Sequence, residues 1–318
     1  MRILANTNFN FIRWRWHAFV LSIALIATGI ATMISRGGMA LGVDFTGGTV
    51  IVVQFAKPTG EEVVRNALSG LSGDAAVQRY GSPGDNQIMI RLPILSETEQ
   101  GSSLDADADR VQAALKAANV GEFTPVSRDL VGPTIGRDLQ RKGIMATVAS
   151  LVGIMAYIAL RFRLSFGVGA MIASIHDVLV TLSLLMLFKY ELTLNVVAAI
   201  LTLTGYGVND QIVVFDRVRE NLRKSRTEPM DSVINKSVNQ TLPRTIITAG
   251  VTFLAVLALY LFGGEVLEGF AFAMLVGIVT STYSTVYIAS AVAVVLSKRR
   301  GGGTPTVTQA QAKARRRA

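Results

Sequence analysis

The stretch "GYGVNDQIVVFDRVREN" at residues 205–221 begins within an apolar run, yet it places Asn209 beside Asp210. An aspartate at the centre of a membrane helix costs roughly 2.5 to 3.5 kcal/mol on translocon scales, so such residues are usually functional. If the run spans a membrane and ends at Phe215, Asp210 lies roughly 8 Å from its inner end at 1.5 Å per residue. The stretch therefore predicts a membrane helix that carries a buried acid.

The composition of the whole chain agrees with a membrane protein. Half of the 318 residues are hydrophobic and 17% are charged, which is unusual for a soluble domain. Runs of about 18 apolar residues can cross a hydrocarbon core of about 30 Å as helices. Such runs are found at 17–35, 142–160, 164–188, 193–215, 245–262 and 270–296. The first run is too long for a typical signal peptide and lacks a cleavage pattern, so we expect it to be retained as a span.

The distribution of lysine and arginine predicts the orientation of these spans. Basic residues crowd the N-terminal segment 1–16, the connection 216–244 and the tail 297–318, whereas the opposite loops hold few. By the positive-inside rule, both termini face the cytoplasm. We expect the tail to be disordered and able to touch anionic lipids. The net charge of +9 therefore reports topology, and we do not expect nucleic-acid binding.

The long segment 36–141 separates the first two spans and has the composition of a soluble domain on the outer, periplasmic face. Its patterns predict strands and helices in the order βαββαβ, which is the α+β ferredoxin-like arrangement. The predicted elements are a strand at 47–56, a helix at 59–71, strands at 75–80 and 86–95, a helix at 104–119 and a strand at 121–132. The segment contains no histidine and no catalytic constellation. We interpret it as a scaffold, with binding of an extended polypeptide at a sheet edge as the alternative.

The glycine-rich stretch "LGVDFTGGT" at 41–49 joins the first span to this domain. Aspartate side chains in turns commonly accept hydrogen bonds from nearby backbone amides. We therefore expect Asp44 to stabilise a local turn.

A partner for Asp210 is predicted from "NQTLPRTIITAG" at 239–250. Proline suits the first turn of a helix, so Pro243 should open a helix and place Arg244 at its inner mouth. Arginine side chains can extend along apolar surface to meet a buried carboxylate. The alternative for Arg244 is a simple anchor at the membrane interface.

Further polar residues in the spans suggest a polar seam through the bundle. Asn195, Thr202 and Asn209 recur every seven residues in the fourth span. Other members are expected at Thr248 and Thr252 in the fifth span and at Thr280, Ser284 and Tyr287 in the sixth. For Asp177 in the third span, a packed and hydrogen-bonded pair with His176 is the expected arrangement, and membership of the seam is the alternative.

Such a seam suits a path for protons. Burial favours the neutral form of a carboxylate, whereas a nearby guanidinium favours its charged form. Movement of Arg244 relative to Asp210 could thus switch the protonation of the acid. The structural alternative is that Asp210 only ties two spans together.

Four motifs carry a resemblance to a known family. "LGVDFTGGT", "VGPTIGRDLQRKG" (131–143), "GYGVNDQIVVFDRVREN" and "SVNQTLPRTIITAG" (237–250) resemble the smaller subunits of the SecD/SecF family of bacterial protein-export membrane proteins. The resemblance extends over about residues 10–298. It implies a resistance-nodulation-division type membrane bundle of six transmembrane helices, paired with six more from a larger SecD subunit, in the bacterial inner membrane.

The resemblance also implies function. Members of the family use the proton motive force to assist late-stage export of unfolded polypeptide, beside the SecYEG channel and the SecA motor. By motif position, the family's essential acid corresponds to Asp210 and its essential arginine to Arg244. Pro243 stands where the family is expected to have a hydroxyl residue, which argues against a hydroxyl relay immediately before Arg244.

Three other classes of protein remain as alternatives. An intramembrane aspartyl protease would need Asp177 and Asp210 close enough to share a proton. A proton-coupled exporter of small molecules or lipids would share the superfamily architecture but usually has twice as many spans. An inert stabilising subunit would need no ionisable site. No enzyme activity, organic cofactor or metal is expected, and protons are the expected coupling ion, with Na⁺ as the alternative.

Overall fold

A computed structural model describes residues 7–71, 75–81, 84–92, 103–161, 164–225 and 228–299. Within these residues, six helices are long and apolar enough to cross a membrane, as the sequence predicts. They are α1 (Arg15–Ser35), α5 (Pro133–Arg161), α6 (Leu164–Leu187), α7 (Leu194–Lys224), α8 (Met230–Phe262) and α9 (Glu265–Ser284), the last continuing through a π-helical turn (Thr285–Ala289) into α10 (Ser290–Arg299). The tail from 300 onward lies outside the described residues.

The helices α6, α7 and α9 form the centre of the bundle, and α1, α5 and α8 pack around them with large exposed faces. A buried apolar cluster joins α6, α7, α8 and the end of α9; it includes Phe166, Phe215, Ile234 and Ile288. Burial of such side chains stabilises the packing of helices within a folded chain. The exposed flanks of α1, α5 and α8 are apolar, as expected for surfaces that meet lipid.

The connection 216–244, predicted as a cytoplasmic loop, is mostly helix. The helix α7 continues to Lys224 and α8 begins at Met230. Val218 of α7 and Val233 and Val238 of α8 all belong to one buried apolar cluster, and this burial stabilises both extensions. A buried bond of 2.9 Å from Asn221 Nδ2 to Ser237 Oγ adds to this packing. The apolar runs predicted from hydropathy end at 215 and begin again at 245, whereas α7 and α8 both extend beyond these positions.

The prediction that Pro243 opens a helix is wrong, since Pro243 lies inside α8. A proline has no N–H to donate to the carbonyl four residues earlier. Membrane bundles tolerate this loss because neighbouring polar groups can compensate. The same part of α8 is fastened to the N-terminal segment by Asn239, which accepts from Phe9 N at 2.9 Å and donates to Phe9 O at 2.8 Å.

The outer domain contains the strands β1 (Gly48–Phe55), β2 (Ala76–Tyr80), β3 (Gln87–Leu92) and β4 (Phe123–Val131), with helices α3 (Glu61–Leu68) and α4 (Ser103–Ala117). The strands form one antiparallel sheet in the order β2-β3-β1-β4. One face of the sheet, with Ile51, Val53, Ile88 and Ile90, packs against both helices. The element order and the antiparallel pairing agree with the predicted α+β domain.

The outer domain is fastened to the bundle through the loop between α6 and α7. Gly42 N donates to Leu192 O and Leu192 N donates to Ala40 O, both at 2.8 Å. Arg91 of β3 forms an ion pair with Glu191 of this loop. Burial lowers the pKa of the Arg91 guanidinium, and nearby Asp44 opposes this shift.

The side chain of Asp44 does not bond to its own turn, as was predicted from the sequence, but to the start of α7. Asp44 lies in a single helical turn, α2 (Val43–Thr46), and its Oδ2 accepts a hydrogen bond of 2.8 Å from Leu194 N at the start of α7. The first N–H groups of a helix have no partner within the helix, and acidic side chains are favoured there. The turn also packs on α5, where a β-carbon at Gly136 would lie 2.9 Å from Phe45 O. The α5 helix thus begins at Pro133, within the segment assigned to the outer domain.

Candidate functional site

Asp210 lies on α7 where this helix faces α8. Its Oδ1 accepts a hydrogen bond of 2.7 Å from Thr245 Oγ1. Its Oδ2 is buried and has no hydrogen-bond partner among the described residues. An unpartnered carboxylate oxygen in a low-dielectric interior is costly when charged, and a proton or a cationic neighbour would offset the cost. The acid is therefore placed where its protonation can change with its surroundings.

Arg244 lies next to Thr245 on α8 and is exposed in the isolated chain. It is near enough to act electrostatically on Asp210, but among the described residues no hydrogen bond or ion pair of 4.0 Å or less joins the two side chains. The predicted direct contact is therefore replaced by a contact with Thr245. Adjacent residues of a helix point about 100° apart, so α8 presents Thr245 to Asp210 and turns Arg244 outward.

Several of the predicted seam residues lie on the outside of the chain. The α7–α8 face consists of Thr202, Gly205 and Asn209 on α7 and of Arg244 and Thr248 on α8, all exposed. The hydroxyls of Thr202 and Thr248 bond to carbonyls of their own helices. Asn209 and Arg244 have no hydrogen-bond partner within the described part of the chain. Polar side chains of this kind are costly against lipid.

A second polar group lies inside the bundle, between α6, α1 and α9. His176 Nδ1 is 3.1 Å from Asp177 Oδ1, as expected of a packed and hydrogen-bonded pair. Ser284 Oγ donates to Asp177 Oδ2 at 2.9 Å. The two side chains are almost fully enclosed, with relative exposures of 8% for His176 and 4% for Asp177.

A glycine of α7 brings the two polar groups close together. A β-carbon at Gly207 would lie 2.5 Å from Ser281 Oγ and 3.6 Å from Asp177 Oδ2. The absence of a side chain at Gly207 thus allows α9 and α6 to approach α7 one turn before Asp210. Gln211, one turn further on, is fully buried, and its amide atoms have no partner among the described residues.

The remaining predicted seam residues contact groups other than Asp210. Asn195 donates to Val266 O near the outer end of the bundle, at 3.2 Å. Thr252 bonds to Thr248 O of its own helix. Thr280 is buried within α9, and Tyr287 packs against the rings of Tyr283 and Phe11. The polar residues therefore form two groups and an exposed face, with no single seam.

The geometry does not fit an aspartyl protease dyad. Asp177 bonds to His176 and Ser284, whereas Asp210 bonds to Thr245. A dyad needs its two carboxyl groups in direct contact to share a proton. Across the described segments, no group of three or more histidine and acidic side chains is arranged to hold a metal ion.

Three residues that lie in or beside the two polar groups were not predicted from the sequence. Thr245 directly follows Arg244 in the sequence. The helical spacing of four residues from Arg244 points to Thr248 instead. Ser22 of α1 contacts His176 Nε2 at 2.8 Å, and a single serine in an apolar span gives no signal of this contact. Gln211 follows Asp210 directly, and an amide within an apolar run could have marked it.

Comparisons with known proteins agree on one family. A family model described as protein export membrane protein SecD/SecF, C-terminal, matches residues 110–299, and one described as the SecD/SecF GG motif matches residues 34–59. Protein translocase subunit SecF of Desulfurispirillum indicum is 41% identical over 284 residues, which cover 88% of this chain and 89% of that protein. Its counterpart from Escherichia coli O157:H7 is 41% identical over 296 residues, covering 92% and 89%. These names denote a non-enzymatic export component, and neither a protease nor a small-molecule exporter.

A solved structure supports the same assignment. The chain matches the crystal structure of SecDF, a translocon-associated membrane protein from Thermus thermophilus, with a TM-score of 0.80 and 32% sequence identity. The match covers 94% of this chain and 40% of the SecDF chain. The chain thus spans less than half the length of that relative.

Proposed function

The chain belongs to the SecD/SecF family of protein-export membrane proteins, and we propose that it uses the proton motive force to assist late-stage export of polypeptide. It is a multi-pass membrane protein with a Sec accessory role, as its relatives' names and its six helices indicate. The observation that carries the proton-coupled function is the placement of Asp210, with one carboxyl oxygen on Thr245 and the other buried without a partner.

The proposed cycle exchanges the partner of Asp210. A protonated Asp210 is neutral, and its Oδ1 keeps the hydrogen bond from the Thr245 hydroxyl. After proton release, the negative carboxylate attracts the guanidinium of Arg244, which directly precedes Thr245 and points about 100° away from it around α8. A rotation of α8 relative to α7 would exchange one partner for the other. Proton movement would in this way become movement of a helix.

A SecD subunit is the expected partner of the α7–α8 face. Within this chain the face leaves Asn209 and Arg244 exposed beside the proton-coupling site. The matched SecDF chain is longer, and this chain covers 40% of it. A larger six-span subunit would shield these polar side chains from lipid and enclose the space beside Asp210.

Cross-linking tests this interface directly because the chain has no cysteine. With Asn209→Cys or Thr248→Cys, we expect a bifunctional thiol–amine reagent to join the chain to copurified SecD. Val20→Cys, at an exposed site of α1, is the matched control and should give no such product. Equal cross-linking from Val20, or none from the two face positions, would contradict the assignment of the face.

The outer domain is proposed to lie in the periplasm and both termini in the cytoplasm. A cysteine introduced at the exposed Ser69 of the outer domain should react with a membrane-impermeant maleimide applied to intact spheroplasts. A cysteine at the exposed Arg223 should react only after the membrane is opened. The reverse pattern would invert the orientation.

Further partners follow from this placement. The SecYEG channel and the SecA motor would deliver unfolded polypeptide to the periplasmic side, where the outer domain can meet it. The basic tail would contact anionic lipids. Protons are the proposed coupling ion. Imposing a Na⁺ gradient instead of a proton gradient on the reconstituted system would distinguish the two ions.

A further inference from the structure

A chain of buried hydrogen bonds runs from the His176–Asp177 pair to the backbone of α1. His176 Nε2 is 2.8 Å from Ser22 Oγ, and Ser22 Oγ is 3.2 Å from Tyr283 Oη. Tyr283 Oη in turn lies 2.6 Å from Ala18 O. These hydrogen bonds join α6, α1 and α9 within the bundle and involve neither Asp210 nor Thr245.

The direction of each hydrogen bond, from its donor to its acceptor, follows from the last bond, between Tyr283 and Ala18 O. A carbonyl oxygen can only accept, so Tyr283 uses its single O–H proton on Ala18 O. Tyr283 must then accept the bond that it shares with Ser22. The single hydroxyl proton of Ser22 is therefore committed to Tyr283.

This direction determines which nitrogen of His176 carries a proton. Since Ser22 has no further proton to donate, the bond between Ser22 and His176 requires a proton on Nε2. The remaining nitrogen, Nδ1, faces Asp177 Oδ1 at 3.1 Å. That bond also needs one proton, either on Nδ1, which gives an imidazolium and a carboxylate, or on Oδ1, which gives a neutral imidazole and a carboxylic acid.

Both forms hold one proton more than a neutral histidine beside an ionised aspartate. We propose that His176 and Asp177 form a second proton-binding site of the membrane bundle, loaded with one proton when α1, α6 and α9 pack as they do here. Release of this proton leaves a carboxylate and a neutral imidazole, and the net charge of the pair changes from zero to minus one.

The surroundings of the pair agree with a loaded, uncharged site. The groups that face it are Ser22 of α1, Tyr283 and Ser284 of α9 and the backbone of Gly207 in α7. Among the described residues, the ionisable side chain in contact with Asp177 is His176. A net negative charge in this enclosed position would be costly, because no lysine or arginine in the described part of the chain forms an ion pair with Asp177.

Unloading requires the hydrogen-bond chain to open. If Ser22 separates from Tyr283, its hydroxyl can turn and donate to His176 Nε2. The neutral histidine can then carry its proton on Nδ1 and donate to an ionised Asp177. Proton release is thereby tied to the packing of α1 against α9, and α1 leads directly to the outer domain. A role of the His176–Asp177 pair in export rests on the proposed function. The presence of a proton on this pair does not.

Nuclear magnetic resonance of the histidine ring tests the occupancy. The chain has two histidines, so His17→Asn leaves His176 as the single histidine of the full-length chain, which is labelled with ¹⁵N-histidine and then combined with unlabelled partner subunit. We expect a protonated Nε2 at neutral pH. If Nδ1 is unprotonated, an infrared band of a protonated carboxylic acid should also be present and should vanish in Asp177→Asn. A neutral ring protonated only on Nδ1, without that band, would overturn the proposal.

A matched pair of tyrosine variants tests the role of the hydrogen-bond chain. Tyr283→Phe frees the Ser22 hydroxyl to donate to His176, so we expect the ring to shift toward the Nδ1-protonated form. Tyr287→Phe removes a neighbouring hydroxyl from a ring that packs on Tyr283 and should leave the spectrum unchanged. Identical spectra in the wild type and Tyr283→Phe would contradict the proposal that the bond between Tyr283 and Ser22 determines which nitrogen of His176 is protonated. Neither measurement depends on export, so a failure of the Asp210 mechanism would be seen separately.

Discussion

Replacing Asp210 with asparagine should reduce gradient-dependent export to the level measured without the chain. The asparagine side chain is almost isosteric, and its oxygen can still accept the hydrogen bond from Thr245. It cannot bind or release a proton, so the exchange of partners between Thr245 and Arg244 cannot occur. The measurement is the rate of precursor export into vesicles that contain the complex and the channel under an imposed proton gradient.

The control for this variant is Asp216→Asn. Asp216 lies six residues further along α7 and is exposed, so removing its charge leaves the Asp210 site intact. We expect export at the wild-type rate with this variant. If Asp210→Asn also exported at the wild-type rate, Asp210 would be a structural acid and the chain a stabilising subunit.

Replacing Arg244 with alanine should cause a loss of export comparable to that of Asp210→Asn. Without a guanidinium, the ionised carboxylate has no partner when Thr245 moves away, and the charged state becomes inaccessible. Arg244→Lys should retain part of the rate, because lysine keeps the charge but not the planar, bidentate geometry of arginine. The same export assay measures both variants.

Arg223→Ala serves as the control for the arginine variants. Arg223 is exposed in the last turn of α7, where basic residues favour the helix terminus and the membrane surface. We expect at most a small change in rate. Normal export with Arg244→Ala would restrict Arg244 to the role of an anchor at the interface.

The sequence identifies Asp210 as the candidate residue, but it does not predict the contacts of this side chain. The cost of a carboxylate in lipid marks Asp210 without any structure. The neighbour that bonds to it depends on the rotation of α8, and Thr245 and Arg244 differ by one position, or about 100°. No pattern in the sequence sets that rotation, because it follows from the packing of α8 on α7 and α9.

The same limit explains the differences in the fold. The six spans and the βαββαβ order follow from periodicity and apolar length, which are local properties. The lengths of α7 and α8 were underestimated, because Val218 and Val238 lie outside the apolar runs and yet belong to the buried cluster. The hydrogen bond from Leu194 N to Asp44 joins residues 150 positions apart, and the contact of Ser22 with His176 joins residues 154 positions apart.

Proton flux through the reconstituted complex tests the central claim most directly. Liposomes containing the chain and SecD, with a pH-sensitive dye inside and an imposed pH gradient, should show proton flow above that of protein-free liposomes. Asp210→Asn should abolish this flow while the complex remains assembled, and Asp216→Asn should not. Equal flow with and without the Asp210 carboxyl group, in a complex of normal composition, would contradict the account.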